Sequence, residues 1–305
     1  MALLLTLILQ VILCPQQGRD LSGPEIYAMG LDILKKEGVE DGIAFFEKHG
    51  IDSGSLHALF GLAWANWQKG DLKETEDICH FILGLDLSQE QVIKASTYYL
   101  LGHATFNQGA FLNSTDFFEK ALVLYEAENL LDNVFKTHLG LAAAFIGQKN
   151  FPEAETHLHQ ALATNSFTDT EMGYFYELKN RIAFARGHFG QALIFARESL
   201  DAYLLSDDRN AIAIAENNLG FALLINYHFD EALPLLKKLD AYAKEHDAVF
   251  LSYLNTVNWI LAHRLKGMYF GDMEAQVRLW IQTYQDENLK SHLEFVLNWD
   301  GISKD

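Results

Sequence analysis

The sequence predicts an all-α protein assembled from repeated helix pairs. Three observations carry that prediction. Apolar residues recur at three- and four-residue steps through nearly the whole chain, the period of a helix with one buried face. Only 4 of the 305 residues are Pro, and no long Gly/Ser tract interrupts the pattern. The pattern also repeats, with a turn, a large apolar residue and a small residue returning every 38 to 40 positions.

Residues 1–23 stand apart from this pattern. Ala2 to Cys14 are apolar except for Thr6 and Gln10. As a helix that run reaches roughly 20 Å, short of the ~30 Å hydrocarbon core of a bilayer. It has the length of a signal-peptide core, and Pro15 and polar residues follow it. No Lys or Arg precedes it, a departure from the usual basic start. Val11-Ile12-Leu13-Cys14 is similar to a bacterial lipobox, although Leu13 is bulky where small residues are usual. Cys14 is therefore a candidate lipidation site. The segment reads as a signal peptide or N-terminal anchor, which favours export or membrane attachment over a cytoplasmic location. The competing reading is a first helix packed on its neighbour. Membrane contact is expected only through this segment, if it is retained or lipidated.

The repeated part is expected over residues 24–299, with 300–305 as a tail. Ile26 opens a helix pair with a shortened turn. Five copies then align, beginning at Leu62, Leu101, Leu141, Lys179 and Leu219. Their turn residues are Leu72, Phe111, Phe151, Phe189 and Phe229. Three positions later come Thr75, Ser114, Ala154, Ala192 and Ala232. The small residue lets the second helix approach the first, and the turn residue fills the space between them. Gly70, Gly109 and Gly187 supply the turn. Pro152 suits a helix start, whereas Pro234 lies deeper and is expected to kink its helix. A degenerate copy follows from Asn255, and "SHLEFVLNWDG" reads as an amphipathic helix that covers the last apolar face.

These residues resemble the tetratricopeptide repeat family. Leu101-Gly102, Gly109, Phe111, Phe118 and Ala121-Leu122 carry the likeness, and Leu219-Gly220, Phe229, Ala232 and Leu236 carry it again. The copies run nearer 40 residues than the usual 34, as in the longer-helix branch of that family. Ala63, Ala142 and Asn180 replace the first-helix Gly, and Thr75 and Ser114 replace the second-helix Ala. The resemblance implies a right-handed α-solenoid of about six helix pairs with a C-terminal capping helix. It also implies that the first helices line a concave groove.

Phe60, Trp64, Trp67, Tyr99, His103, Phe106, Asn107, Tyr174, Arg181, Phe184, Asn217 and Phe221 are then the candidate groove residues. Aromatic side chains give large contact area at low entropic cost, so a protein or peptide is the expected ligand. The competing reading is that these rings only pack the helices against one another. The net charge is -18, and no basic cluster longer than Lys35-Lys36 or Lys237-Lys238 occurs, which argues against nucleic acid. Two distant cysteines make neither a disulfide framework nor a zinc site, and Cys79 reads as a buried thiol. His157 and His159 lie on different sides of one helix, and no HExxH, GxSxG or phosphate loop is present. The expectation is a non-catalytic adaptor without a cofactor, placed in an envelope or secretory complex. A cytoplasmic regulatory scaffold for a signalling or polarity protein and a peptide-sensing regulator are the alternatives. Homodimerisation through the end repeats is a further expectation.

Overall fold

The computed structural model describes residues 21–299 except 54, 207, 285 and 286. The apolar start with Cys14 and the tail from 300 lie outside the described residues. Fifteen helices and no strand occur among those described. They fall into two compact units that divide between Ser166 and Phe167. The first holds α1 (Gly23–Lys36), α2 (Val39–Ser53), α3 (Leu56–Lys69), α4 (Leu72–Leu83), α5 (Gln91–Asn107), α6 (Phe111–Ala127), α7 (Leu131–Gly147) and α8 (Phe151–Ala163). The second holds α9 (Asp169–Ala185), α10 (Phe189–Leu204), α11 (Arg209–Ile225), α12 (Phe229–Glu245), α13 (Val249–Leu265), α14 (Gly271–Tyr284) and α15 (Glu287–Asn298). The sequence reading expected one array of about six pairs. Among the described residues there are seven pairs and then α15, because the degenerate copy from Asn255 forms a full pair, α13 with α14.

Polar residues start several helices. Ser22 with Glu25, and Thr168 with Glu171, form capping boxes at α1 and α9. Asp71 accepts from the Glu74 N–H at α4, and Asp208 from Asn210 and Ala211 at α11. The expected kink at Pro234 does not interrupt α12, which runs as one helix from Phe229 to Glu245. Pro234 is exposed, so the carbonyl freed by its missing N–H lies where water reaches.

In three pairs the two helices meet at residues twelve apart. A polar residue stands at each of these contacts and finds a partner across it. The Ser114 hydroxyl donates to the Gly102 carbonyl at 2.8 Å. The Thr75 hydroxyl donates to Asp71 O at 2.8 Å and lies 3.5 Å from Ala63 O. Asn180 Nδ2 donates to Ala192 O at 2.7 Å. The departures from the small-residue pattern are therefore tolerated because the buried polar atoms are bonded.

Phe118 shows why glycine is needed at two first-helix positions. Its ring is 1% exposed and lies between α5 and α7. A Cβ on Gly102 would fall 2.6 Å from it, and one on Gly140 2.8 Å from it. The turns need left-handed backbone at one residue each. Gly109 meets that need at φ 77°, whereas Lys149 and Tyr227 adopt φ 59° and 61° at the equivalent turns.

Phe46, Phe118, Phe135 and Tyr125 are the largest fully buried rings of the first unit. Cys79 is also fully buried and free, and burial pushes its thiol pKa up. In the second unit Leu223, Leu236, Val257, Ile260 and Val277 share one core with Leu289, Leu293 and Val296 of α15. No helix among the described residues is long and apolar enough to cross a membrane.

Candidate binding faces on the first helices

Successive first helices of the first unit are neighbours, α1 with α3, α3 with α5 and α5 with α7. The candidate residues of this unit lie on α3 and α5. Phe60, Trp64 and Trp67 occupy one stripe of α3 at helical spacing. Tyr99, His103 and Phe106 do the same on α5, where Asn107 ends the helix exposed.

Four of the rings form a connected row, Trp64, Trp67, His103 and Tyr99. Phe60 lies 5.6 Å from Tyr27 of α1. Trp64 lies 5.1 Å from Trp67, and Trp67 lies 5.6 Å from His103 on the next first helix. His103 meets Tyr99 at 4.5 Å and Phe118 at 5.0 Å, both edge-on. Phe106 packs 5.5 Å from the turn residue Phe111. The rings do pack on one another, yet Phe60, Trp64, Trp67, Tyr99 and Phe106 all remain half-buried. Burial among them lowers the His103 pKa to about 4, so the imidazole is neutral at pH 7. The buried Trp67 indole N–H has no hydrogen-bond partner.

One imidazole pair is not evident from the sequence. His138 of α7 and His157 of α8 place their Nδ1 atoms 3.1 Å apart, one donating and one accepting. Burial, then the neighbouring His157, lowers the His138 pKa to about 4. His159 points to solvent, as the two-residue spacing requires. No group of three potential metal ligands occurs among the described residues.

In the second unit Tyr174, Glu177, Arg181 and Phe184 follow one stripe of α9. Burial raises the Tyr174 pKa to about 12. Burial also raises the Glu177 carboxyl, opposed by the Arg181 guanidinium one turn away. Asn217 is not on an open surface as the sequence reading expected. It is 1% exposed, and its side-chain oxygen accepts from Asn258 Nδ2 at 2.9 Å. It packs α11 against α13.

Phe184 and Phe221 are covered by the chain itself. Phe295 of α15 lies 5.0 Å from Phe184 and 6.0 Å from Phe221. His292 meets Phe221 edge-on at 4.6 Å, and its own burial lowers its pKa to about 4. Trp299 lies 6.1 Å from Phe189 and 6.4 Å from Tyr227. Arg264 of α13 donates to Val296 O at 3.2 Å and to Trp299 O. The capping helix thus closes the array on α13 and α14 and also crosses the first-helix face at α9 and α11. Its ridge of His292, Phe295 and Trp299 is visible in the sequence, but the rings it meets are not.

No protein-family model matches the chain, and no curated protein matches it. Solved structures do. A Rap protein in complex with competence and sporulation factor aligns with TM-score 0.71 at 13% identity, covering 93% of this chain and 80% of that one. The apo form of the quorum sensor NprR from B. thuringiensis aligns with TM-score 0.68 at 15% identity, covering 90% and 79%. A tetratricopeptide repeat protein from Parabacteroides merdae aligns with TM-score 0.56 at 13% identity, covering 90% and 99%. The chain has the tetratricopeptide-type helical-repeat fold.

Proposed function

We propose that the chain is a non-catalytic scaffold that binds a protein or peptide partner on the first-helix face of its first unit. The row from Trp64 and Trp67 through His103 to Tyr99 carries this reading. Half-buried aromatic rings held rigidly by their neighbours are the composition of a binding hot spot. Asn107 adds an exposed amide beside the row. The net charge of -18 favours a partner with a basic or neutral contact surface over nucleic acid.

A second reading, a peptide-sensing regulator, is supported by the likeness to a quorum sensor and to a Rap protein solved with competence and sporulation factor. Compaction in small-angle scattering on adding a peptide favours the sensor, and an unchanged radius favours the scaffold. Service in an envelope or secretory complex rests on residues 1–18 alone, and the N-terminal mass of the mature protein tests it.

Affinity capture from the native host, with wild type against Trp67→Ala/Phe106→Ala of matched helicity, tests the binding face. Partners lost only with the double variant are the expected result. An identical partner set contradicts it.

A further inference from the structure

The second unit carries the same kind of face, and its own last helix sits on it. Phe184 stands five residues before its turn residue Phe189, as Phe106 stands before Phe111 and Trp67 before Leu72. Phe221 stands eight before Phe229, as His103 stands before Phe111 and Trp64 before Leu72. The positions that form the aromatic row of the first unit are thus the positions that α15 touches in the second.

The way α15 is held resembles a docked helix more than a member of a pair. It presents two ridges. Leu289, Leu293 and Val296 are fully buried, and His292 and Phe295, with Trp299 one residue past the helix, lie beside them at helical spacing. The aromatic ridge reaches three elements in turn, Phe221 of α11, Phe184 of α9 and Phe189 of α10. The C-terminal carbonyls of α15 are taken by the Arg264 guanidinium, a cation at the negative end of the helix. Glu294 and Asn298 face solvent, so the outer side is polar. This is an amphipathic helix in a groove, anchored by an apolar stripe and one charged contact at its end.

We propose that α15 is a displaceable intramolecular occupant of the face built by Phe184, Phe221 and Arg264, and that the partner of this face is an amphipathic helix. Such a helix carries rings at i, i+3 and i+7 over an aliphatic stripe and exposes its last carbonyls to Arg264. While α15 is seated, that partner is excluded, and its binding releases α15. The inference extends to the second unit the reading of the first-helix face as a binding surface.

The probe that tests it is a fluorescein-labelled peptide of residues 287–299, added to the full chain and followed by anisotropy. Wild type is expected to bind it weakly. Phe295→Ala/Trp299→Ala, which loosens the resident helix, is expected to bind at least tenfold tighter. Adding Phe184→Ala/Phe221→Ala should abolish that gain. Equal affinity across the three proteins overturns the proposal. Hydrogen exchange on wild type needs no variant. Amides of 289–298 that exchange at least tenfold faster than those of α11 and α13 support release of α15. Amides that exchange as slowly as those two helices overturn it, since α15 then opens only with its unit. The probe is the chain's own helix, so failure here leaves the capture result for Trp67 and Phe106 standing.

Discussion

The ring of Phe295 stands edge-on against the ring of Phe184, 5.0 Å apart, although 111 positions separate them in the chain. Edge-to-face pairs at this distance contribute about 0.5–1.5 kcal/mol beyond their buried area. Phe295→Ala is expected to lower the stability of the second unit by about 1–3 kcal/mol, because the ring is half-buried rather than sealed. Urea unfolding followed by tryptophan fluorescence measures this. No change in midpoint would show that the α9–α15 contact is not maintained in solution.

Gly102 gives the sharpest packing test. A methyl there would fall 2.6 Å from the Phe118 ring, which Gly140 confines from the other side. The ring has nowhere to move, so Gly102→Ala is expected to destabilise by about 1–3 kcal/mol despite the better helix propensity of Ala. A stabilised variant would contradict the wedge.

The turns predict an opposite pair of effects. Lys149 adopts φ 59° where Gly109 adopts φ 77°. Lys149→Gly removes left-handed strain at an exposed site and is expected to stabilise by about 0.5–1 kcal/mol. Gly109→Ala is expected to destabilise by about 1 kcal/mol. Thermal midpoints of the two variants should move in opposite directions.

Four imidazoles set a pH dependence, His157 among them with a pKa lowered by burial. Burial lowers the pKa of His103, His138 and His292 from 6.5 to about 4. The unfolded chain takes up these protons as pH falls through 6.5, and the folded chain only near 4. Their stabilisation is therefore complete above pH 6.5 and is lost progressively as pH falls to about 4. Glu177 acts in the opposite sense, since its raised pKa costs stability above the ordinary carboxylate range and the cost is relieved on acidification. Between pH 7 and 5 the melting temperature is expected to fall by about 5–10 °C. His103→Gln should flatten that slope relative to wild type, and an unchanged slope would contradict the burial of His103.

Much of the fold was legible because it is local. The helix period, the turn residues and the twelve-residue contact of three pairs are all written in short stretches. The cost of replacing the small residues was less legible, since only the structure shows Ser114 bonded to Gly102 and Asn180 to Ala192. That the rings of α3 and of α5 each share one side of a helix follows from spacing, whereas their assignment to a groove came from the family resemblance. The burial of Asn217 could not, because it depends on Asn258, one repeat further along. The same holds for α15. Its apolar stripe was visible, but a ridge at helical spacing says only that something covers it, not that Phe184 and Phe221 do.

The proposed seat of the partner is the first-helix face of the first unit. The most direct measurement is photo-crosslinking in the native host with p-benzoylphenylalanine at Asn107, on that face, and at Glu119, exposed on the second helix α6. Adducts with a partner protein from position 107 and none from 119 are the predicted result. Adducts from 119 alone would contradict the account and move the binding surface to the second helices.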